Sequence, residues 1–145
     1  MSRSIPEMIV AEAAGWLGTP YRHQGMRKGV GCDCLGLVLG VWQAVYGRAP
    51  EKPGPYAPDW AEAGGQDRLL AAARRHCVEK REGPGAGDLV LFRWRAHLPA
   101  KHAAIMVADD RFIHAYQGSA VVISALVPQW RSRIAGMFAF PDKPI

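Results

Sequence analysis

The chain has 145 residues, 49% of them hydrophobic and 21% charged, which fits one ordinary globular domain with a single core and shows no internal repeat or low-complexity segment. Its formal net charge of +5 favours an acidic partner such as nucleic acid, anionic lipid or anionic cell-wall polymer, but the basic residues are scattered rather than clustered. The opening MSRSIPEMIV lacks the apolar centre of a secretory signal, and the longest strongly apolar run, Leu35 to Trp42, is too short to span a bilayer; the expectation is a soluble chain made in the cytoplasm.

Ser4 and Glu7 have capping-box spacing, Pro6 is tolerated in a first turn, and Met8, Ile9, Ala13 and Trp16 form one apolar face. A helix is predicted from Ile5 to Leu17, stopping at Gly18. A loop rich in glycine and lysine, Tyr21 to Gly31, then leads to GCDCLGLVLGVW. There Leu35, Val38, Leu39, Trp42 and Val45 recur at helical spacing, with Asp33 as N-cap, Cys34 in the first turn and Gly47 as the stop after Tyr46. The proline-rich APEKPGPYAP reads as an ordered surface loop, and a third helix is expected from Gln66 to Arg75. From Cys77, which opens an apparent strand, the pattern turns to β-type runs at 88–92, 102–107, 111–115, 120–124 and 134–140, with Asp109-Asp110 as a hairpin turn. Helices first and antiparallel strands second predict an α+β domain over residues 1–145, its sheet packed against the second helix.

Three cysteines cannot all pair, and Cys32 and Cys34 are too close for an unstrained bridge, so at least one thiol is expected to stay reduced. At the start of a helix, Cys34 meets the positive end of the dipole and unpaired backbone N–H groups, which favour thiolate. A nucleophilic cysteine needs a base, and the base needs a third group to orient it. His102 opens one predicted strand and His114 lies near the end of the next, so a hairpin can bring both to one sheet edge opposite Cys34. The bland alternatives are a buried structural thiol and two satisfied strand histidines. Cys32, ahead of the helix, and Cys77 read as structural. Trp16, Trp42 and Trp94 read as packing residues rather than a nucleic-acid stacking platform.

The segments WLGTPYRHQG, GCDCLGLV, GDLVLF and KHAAIMVADDRFIHA together resemble the NlpC family of papain-like cell-wall cysteine peptidases, over residues 16 to 115. The resemblance implies a papain-like α+β fold with N-terminal helices on a C-terminal antiparallel sheet. It implies Cys34 as nucleophile, His102 as base, His114 as the orienting residue, Tyr21 beside the oxyanion and Asp33 towards the substrate's amino-terminal side. Leu35 stands where the family has serine. The implied reaction is hydrolysis of peptidoglycan stem peptides, usually between γ-D-glutamate and a diamino acid, with no metal or organic cofactor.

The CDCLG form is similar in particular to short peptidases of phage tails and gene transfer agents. That implies phage-like tail proteins as partners and action on the wall in the periplasm; from the residues themselves neither nucleic-acid binding nor membrane insertion is expected. Two rivals stand beside this reading: a metal-binding module of Cys32, Cys34, His102 and His114, for which C-x-C is a poor zinc clamp, and a catalytically dead tail subunit that keeps the fold.

Overall fold

The computed structural model describes residues 3–51 and 67–142. Its first helix, α1 (Ile5–Ala14), starts with the capping box read from the sequence: Glu7 N–H donates to Ser4 Oγ at 3.3 Å and Ser4 N–H donates to Glu7 Oε1 at 3.1 Å. It ends three residues before the predicted Leu17. At Gly15 the chain tightens into short-range bonds, Gly15 N–H to the Glu12 carbonyl and Trp16 N–H to the Ala13 carbonyl, each 3.0 Å. Trp16 is nevertheless buried, as its place on the apolar face requires.

Inside the predicted loop 21–31 lies a small antiparallel hairpin, β1 (Met26–Arg27) with β2 (Gly31–Cys32). Two residues per strand are too few for any periodic signal in the sequence. Helix α2 (Cys34–Tyr46) follows, capped by Asp33 and ended by Gly47 in the left-handed conformation at φ 88°. Two glycines one turn apart let α2 be approached closely. A Cβ on Gly36 would collide with the Gly25 carbonyl oxygen, and one on Gly40 with the Trp16 ring. Helix α3 (Arg68–His76) takes up most of the predicted third helix and runs one residue past its expected end at Arg75; Gln66 and most of the proline-rich segment fall outside the described residues. Cys77 caps the end of α3, and the strand expected to open there begins one residue later as β3 (Val78–Lys80).

The remaining strands are β4 (Asp88–Phe92), β5 (His102–Ala108), β6 (Arg111–Ala115), β7 (Val121–Ala125) and β8 (Ile134–Ala139), each within a residue of its predicted bounds. With β3 they form a six-stranded antiparallel sheet in the order β3-β8-β4-β5-β6-β7. Alternation sorts the side chains onto two faces. Leu89, Leu91, Ala103 and Ile105 join Leu37 and Val41 of α2 in the main core. Fully burying each large aliphatic group of this kind contributes about 1.5–3 kcal/mol. Val90, Phe92, Ala104, Met106 and Phe112 form a second cluster on the other face, where Leu126 and the Trp130 ring pack on them. Trp130 belongs to a one-turn helix, α4 (Pro128–Arg131), that the sequence did not predict because four residues carry no helical period. The architecture is the expected α+β one, helices first and antiparallel sheet second.

Candidate active site

Cys34 is the first residue of α2, and the local sequence explains its position. Asp33 Oδ1 accepts the Gly36 N–H at 2.7 Å, fixing the helix start, while Oδ2 accepts the Gln24 N–H at 2.8 Å, tying the preceding loop to it. Asp33 is 3% exposed, and His23 Nδ1 lies 3.9 Å from its Oδ2. Both carboxylate oxygens thus serve the backbone, the capping role that competes with the substrate-facing role the family resemblance implies.

His102 and His114 come from neighbouring antiparallel strands in which Ile105 faces Ile113, which sets the two histidines diagonally on one face. His102 Nε2 lies 2.8 Å from His114 Nδ1, and His114 Nε2 lies 2.8 Å from Ser124 Oγ on β7. His102 is 9% and His114 0% exposed. Aromatic rings enclose the pair. Trp94 stacks on His102 at 5.7 Å between centroids, Phe92 lies at 6.1 Å, and Trp130 touches both imidazoles at 5.9 and 5.5 Å.

Cys34, His102 and His114 line one cleft of about 440 Å³, together with Tyr21, Asp33 and Leu35 on one side and Trp94 and Trp130 on the other. The Cys34 thiol points at the Lys101 carbonyl, Sγ to O 3.9 Å, immediately before His102 in the chain. All five positions singled out in the sequence, Tyr21, Asp33, Cys34, His102 and His114, therefore reach the same cavity. Cys32 does not: it is 0% exposed in the main core. Among the described residues no three His, Cys, Asp or Glu side chains converge as a metal site, which counts against the metal-binding rival.

The electrostatics depart from the helix-dipole expectation. Burial pushes the Cys34 thiol up to about 11, the backbone N–H of Ala103 opposes this, the Asp33 charge adds to it, and the N–H groups of Leu35 and Cys34 lower it again. Desolvation therefore outweighs the helix start. Burial also holds both imidazoles well below the ordinary histidine value, with His114 and Lys101 lowering His102 further. Each of these shifts favours the uncharged form, a neutral thiol beside neutral imidazoles. Tyr21 is pushed up to about 12, by burial first and then by Cys34, Asp33 and Cys32, so its hydroxyl stays protonated.

A cysteine at a helix start, facing a buried His–His pair whose second ring is itself anchored, is a site built for acyl transfer. The sequence profile of the NlpC/P60 family matches residues 18–138, which takes in every residue of this cleft. The chain belongs to the NlpC/P60 family. Two curated relatives are similar to it. The murein DD-endopeptidase MepS/murein LD-carboxypeptidase of Escherichia coli is 27% identical over 130 residues, covering 89% of this chain and 60% of the relative. The gamma-DL-glutamyl hydrolase of Bacillus subtilis is 30% identical over 141 residues, covering 94% of this chain and 30% of the relative. The chain thus spans less than two thirds of the first relative and under a third of the second. Among solved structures, the NlpC/p60 domain of the peptidoglycan hydrolase SagA is 26% identical, with a TM-score of 0.62 over 93% of this chain and 98% of that one.

Within this NlpC/P60 domain the sequence reading missed three residues. Trp94, expected to pack, packs against His102, a placement at the cleft wall that its sequence context does not signal. Trp130 and Ser124 were not singled out at all. A lone tryptophan and a lone serine carry no local pattern, and only the sheet order brings them to the histidines.

Proposed function

We propose that the protein is a cysteine peptidase acting on peptidoglycan stem peptides, with Cys34 as nucleophile, His102 as general base and acid, and His114 as the residue that orients His102. The observation that carries this reading is the arrangement of Cys34 at the start of α2 in one cleft with a hydrogen-bonded His102–His114 pair. The Nε2 of His102 is engaged by His114, which leaves Nδ1 as its basic nitrogen.

In the first step the thiol proton passes to His102 Nδ1 as sulfur attacks the scissile carbonyl. Because burial favours the uncharged forms of both groups, this transfer accompanies attack rather than preceding it. The backbone N–H of Cys34 donates to the developing oxyanion, a kind of contact worth roughly 3 kcal/mol, with the Tyr21 hydroxyl nearby in the cleft. Collapse of the tetrahedral species expels the amine, which takes the proton from His102 Nδ1. Water, deprotonated by the same nitrogen, then hydrolyses the thioester and restores the thiol.

The substrate class is supported by the names of the relatives, two of which act on murein or on γ-glutamyl bonds. The bond we favour is that between γ-D-glutamate and a diamino acid. Leu35 lines the cleft where the family has serine, and both Asp33 oxygens accept backbone N–H groups. Both features weaken a clamp for a free substrate ammonium, so stems still attached to glycan belong in the proposed range. Delivery by a phage-like tail, with action in the periplasm, completes the proposal and rests on the CDCLG resemblance. The test is incubation with a synthetic L-Ala-γ-D-Glu-diamino acid peptide and with its N-acetylated form. Cleavage of both at the γ-glutamyl bond supports the reading; cleavage of neither, by a folded protein, overturns it.

A further inference from the structure

The hydrogen-bond chain in the cleft continues past His114 to Ser124, a half-buried residue on β7, the edge strand of the sheet. Two proton arrangements satisfy such a chain. In the first, His102 carries its proton on Nε2 and donates to His114 Nδ1, and His114 carries its proton on Nε2 and donates to Ser124 Oγ. In the second every proton is shifted: Ser124 donates to His114 Nε2, His114 Nδ1–H donates to His102 Nε2, and His102 holds its proton on Nδ1. Only the first leaves a lone pair on His102 Nδ1. The two rings are coupled through a 2.8 Å contact, so the tautomer of His114 decides whether His102 is a base.

We infer that Ser124 is a positioning residue that, by accepting the His114 Nε2–H, holds both histidines in the tautomer in which His102 Nδ1 can take the Cys34 proton. The inference deepens the peptidase reading and rests on it. Its force comes from burial. His114 is 0% exposed, and Tyr116, Phe112 and Trp130 pack on its ring at 5.6, 4.7 and 5.5 Å; among the described residues the side chain paired with its Nε2 is Ser124. Without the serine hydroxyl, the working arrangement leaves a buried N–H unpaired, whereas the idle arrangement leaves only an unused lone pair. The first is the costlier loss, so removal of the hydroxyl drives both rings towards the idle state. Once His102 becomes imidazolium during attack, its Nε2–H donates to His114 Nδ1 in either case, and the His114 Nε2–H again needs the Ser124 oxygen.

The test has two arms on the full chain. Long-range ¹⁵N–¹H correlation spectra of the imidazoles, without substrate, should place the His114 proton on Nε2; a proton on Nδ1 overturns the inference whether or not any peptide is cleaved. In a stem-peptide assay, Ser124→Ala should lower kcat about tenfold with KM little changed, the worth of one hydrogen bond, and Ser124→Thr should restore most of it. A Ser124→Ala enzyme with the parent kcat, or a Ser124→Thr enzyme as slow as Ser124→Ala, overturns it as well. If Ser124→Ala does not fold, the spectrum of the parent protein decides alone. Inactivity of the parent on every wall peptide would refute the peptidase reading and leave the tautomer result standing.

Discussion

Trp94 lies stacked on His102, ring centroids 5.7 Å apart and planes 25° from parallel. The indole is half-exposed at the cleft wall and covers one face of the imidazole, shielding it from water. Removing that shield should undo part of the desolvation that holds His102 low. A lowered pKa keeps the base neutral, and therefore active, into mildly acidic solution. Trp94→Ala should thus move the acid limb of the kcat/KM profile to higher pH, with a larger loss at pH 5.5 than at pH 8. An acid limb that stays where the parent has it would count against this role for Trp94.

Stability should be greatest between the ordinary histidine and thiol values of 6.5 and 9.0. His102 and His114 have folded values below 6.5, so the unfolded chain binds more protons as the pH falls below that value, and stability is lost on the way down. Cys34, Cys32 and Cys77 are raised, to about 11, 12 and 12, by burial; their contribution is complete below 9.0 and is lost as the pH rises towards those values. Urea unfolding across the pH range measures this, and a monotonic dependence through both windows would contradict it.

Gly36 and Gly40 give a prediction independent of chemistry. Gly36→Ala places a methyl group on the Gly25 carbonyl, a backbone atom in the loop that Asp33 holds, and Gly40→Ala places one on the buried Trp16 ring. Overpacking of this kind costs about 1–3 kcal/mol. Both variants should show lowered Tm, with Gly36→Ala the worse because a carbonyl yields less readily than a side chain. Parent-like melting of Gly36→Ala would mean that α2 and the loop do not touch as described.

How much of this was legible beforehand depends on the range of each signal. The α2 start, its Asp33 cap and the Gly47 stop are written within a few residues of one another, and so were readable, as were strands β4 to β8 from their apolar runs. His102 and His114 could be placed on neighbouring strands because a short turn at Asp109-Asp110 separates them. Trp94, Trp130 and Ser124 reach the site from three separate segments, which no local pattern reports. The thiol shows the same limit: its helix position is local and favours thiolate, whereas the burial that overrides it comes from strands far along the chain.

Charge along the cleft bears on substrate choice. Arg133 and Lys101 sit over the Trp94 ring, with the guanidinium carbon and Nζ 5.5 and 5.9 Å from its centroid, on the wall next to the proposed acid His102. Stem peptides rich in carboxylates should be drawn to that wall. Arg133→Glu should lower kcat/KM several-fold for such peptides at low salt, and the gap should narrow at high salt as the charges are screened. Equal activity at both salt concentrations would remove Arg133 from substrate recognition.

The central claim is that the Cys34 thiol cuts wall peptides, and digestion of purified sacculi followed by mass analysis tests it most directly. The parent protein should release fragments whose masses mark cleavage after γ-D-glutamate, and Cys34→Ala, folded to the same Tm, should release none. His102→Ala should be nearly as inert, while His114→Gln should retain part of the activity, because an amide still offers one acceptor to His102 and one donor to Ser124. Release of the same fragments by Cys34→Ala, or none by the parent, would contradict the account.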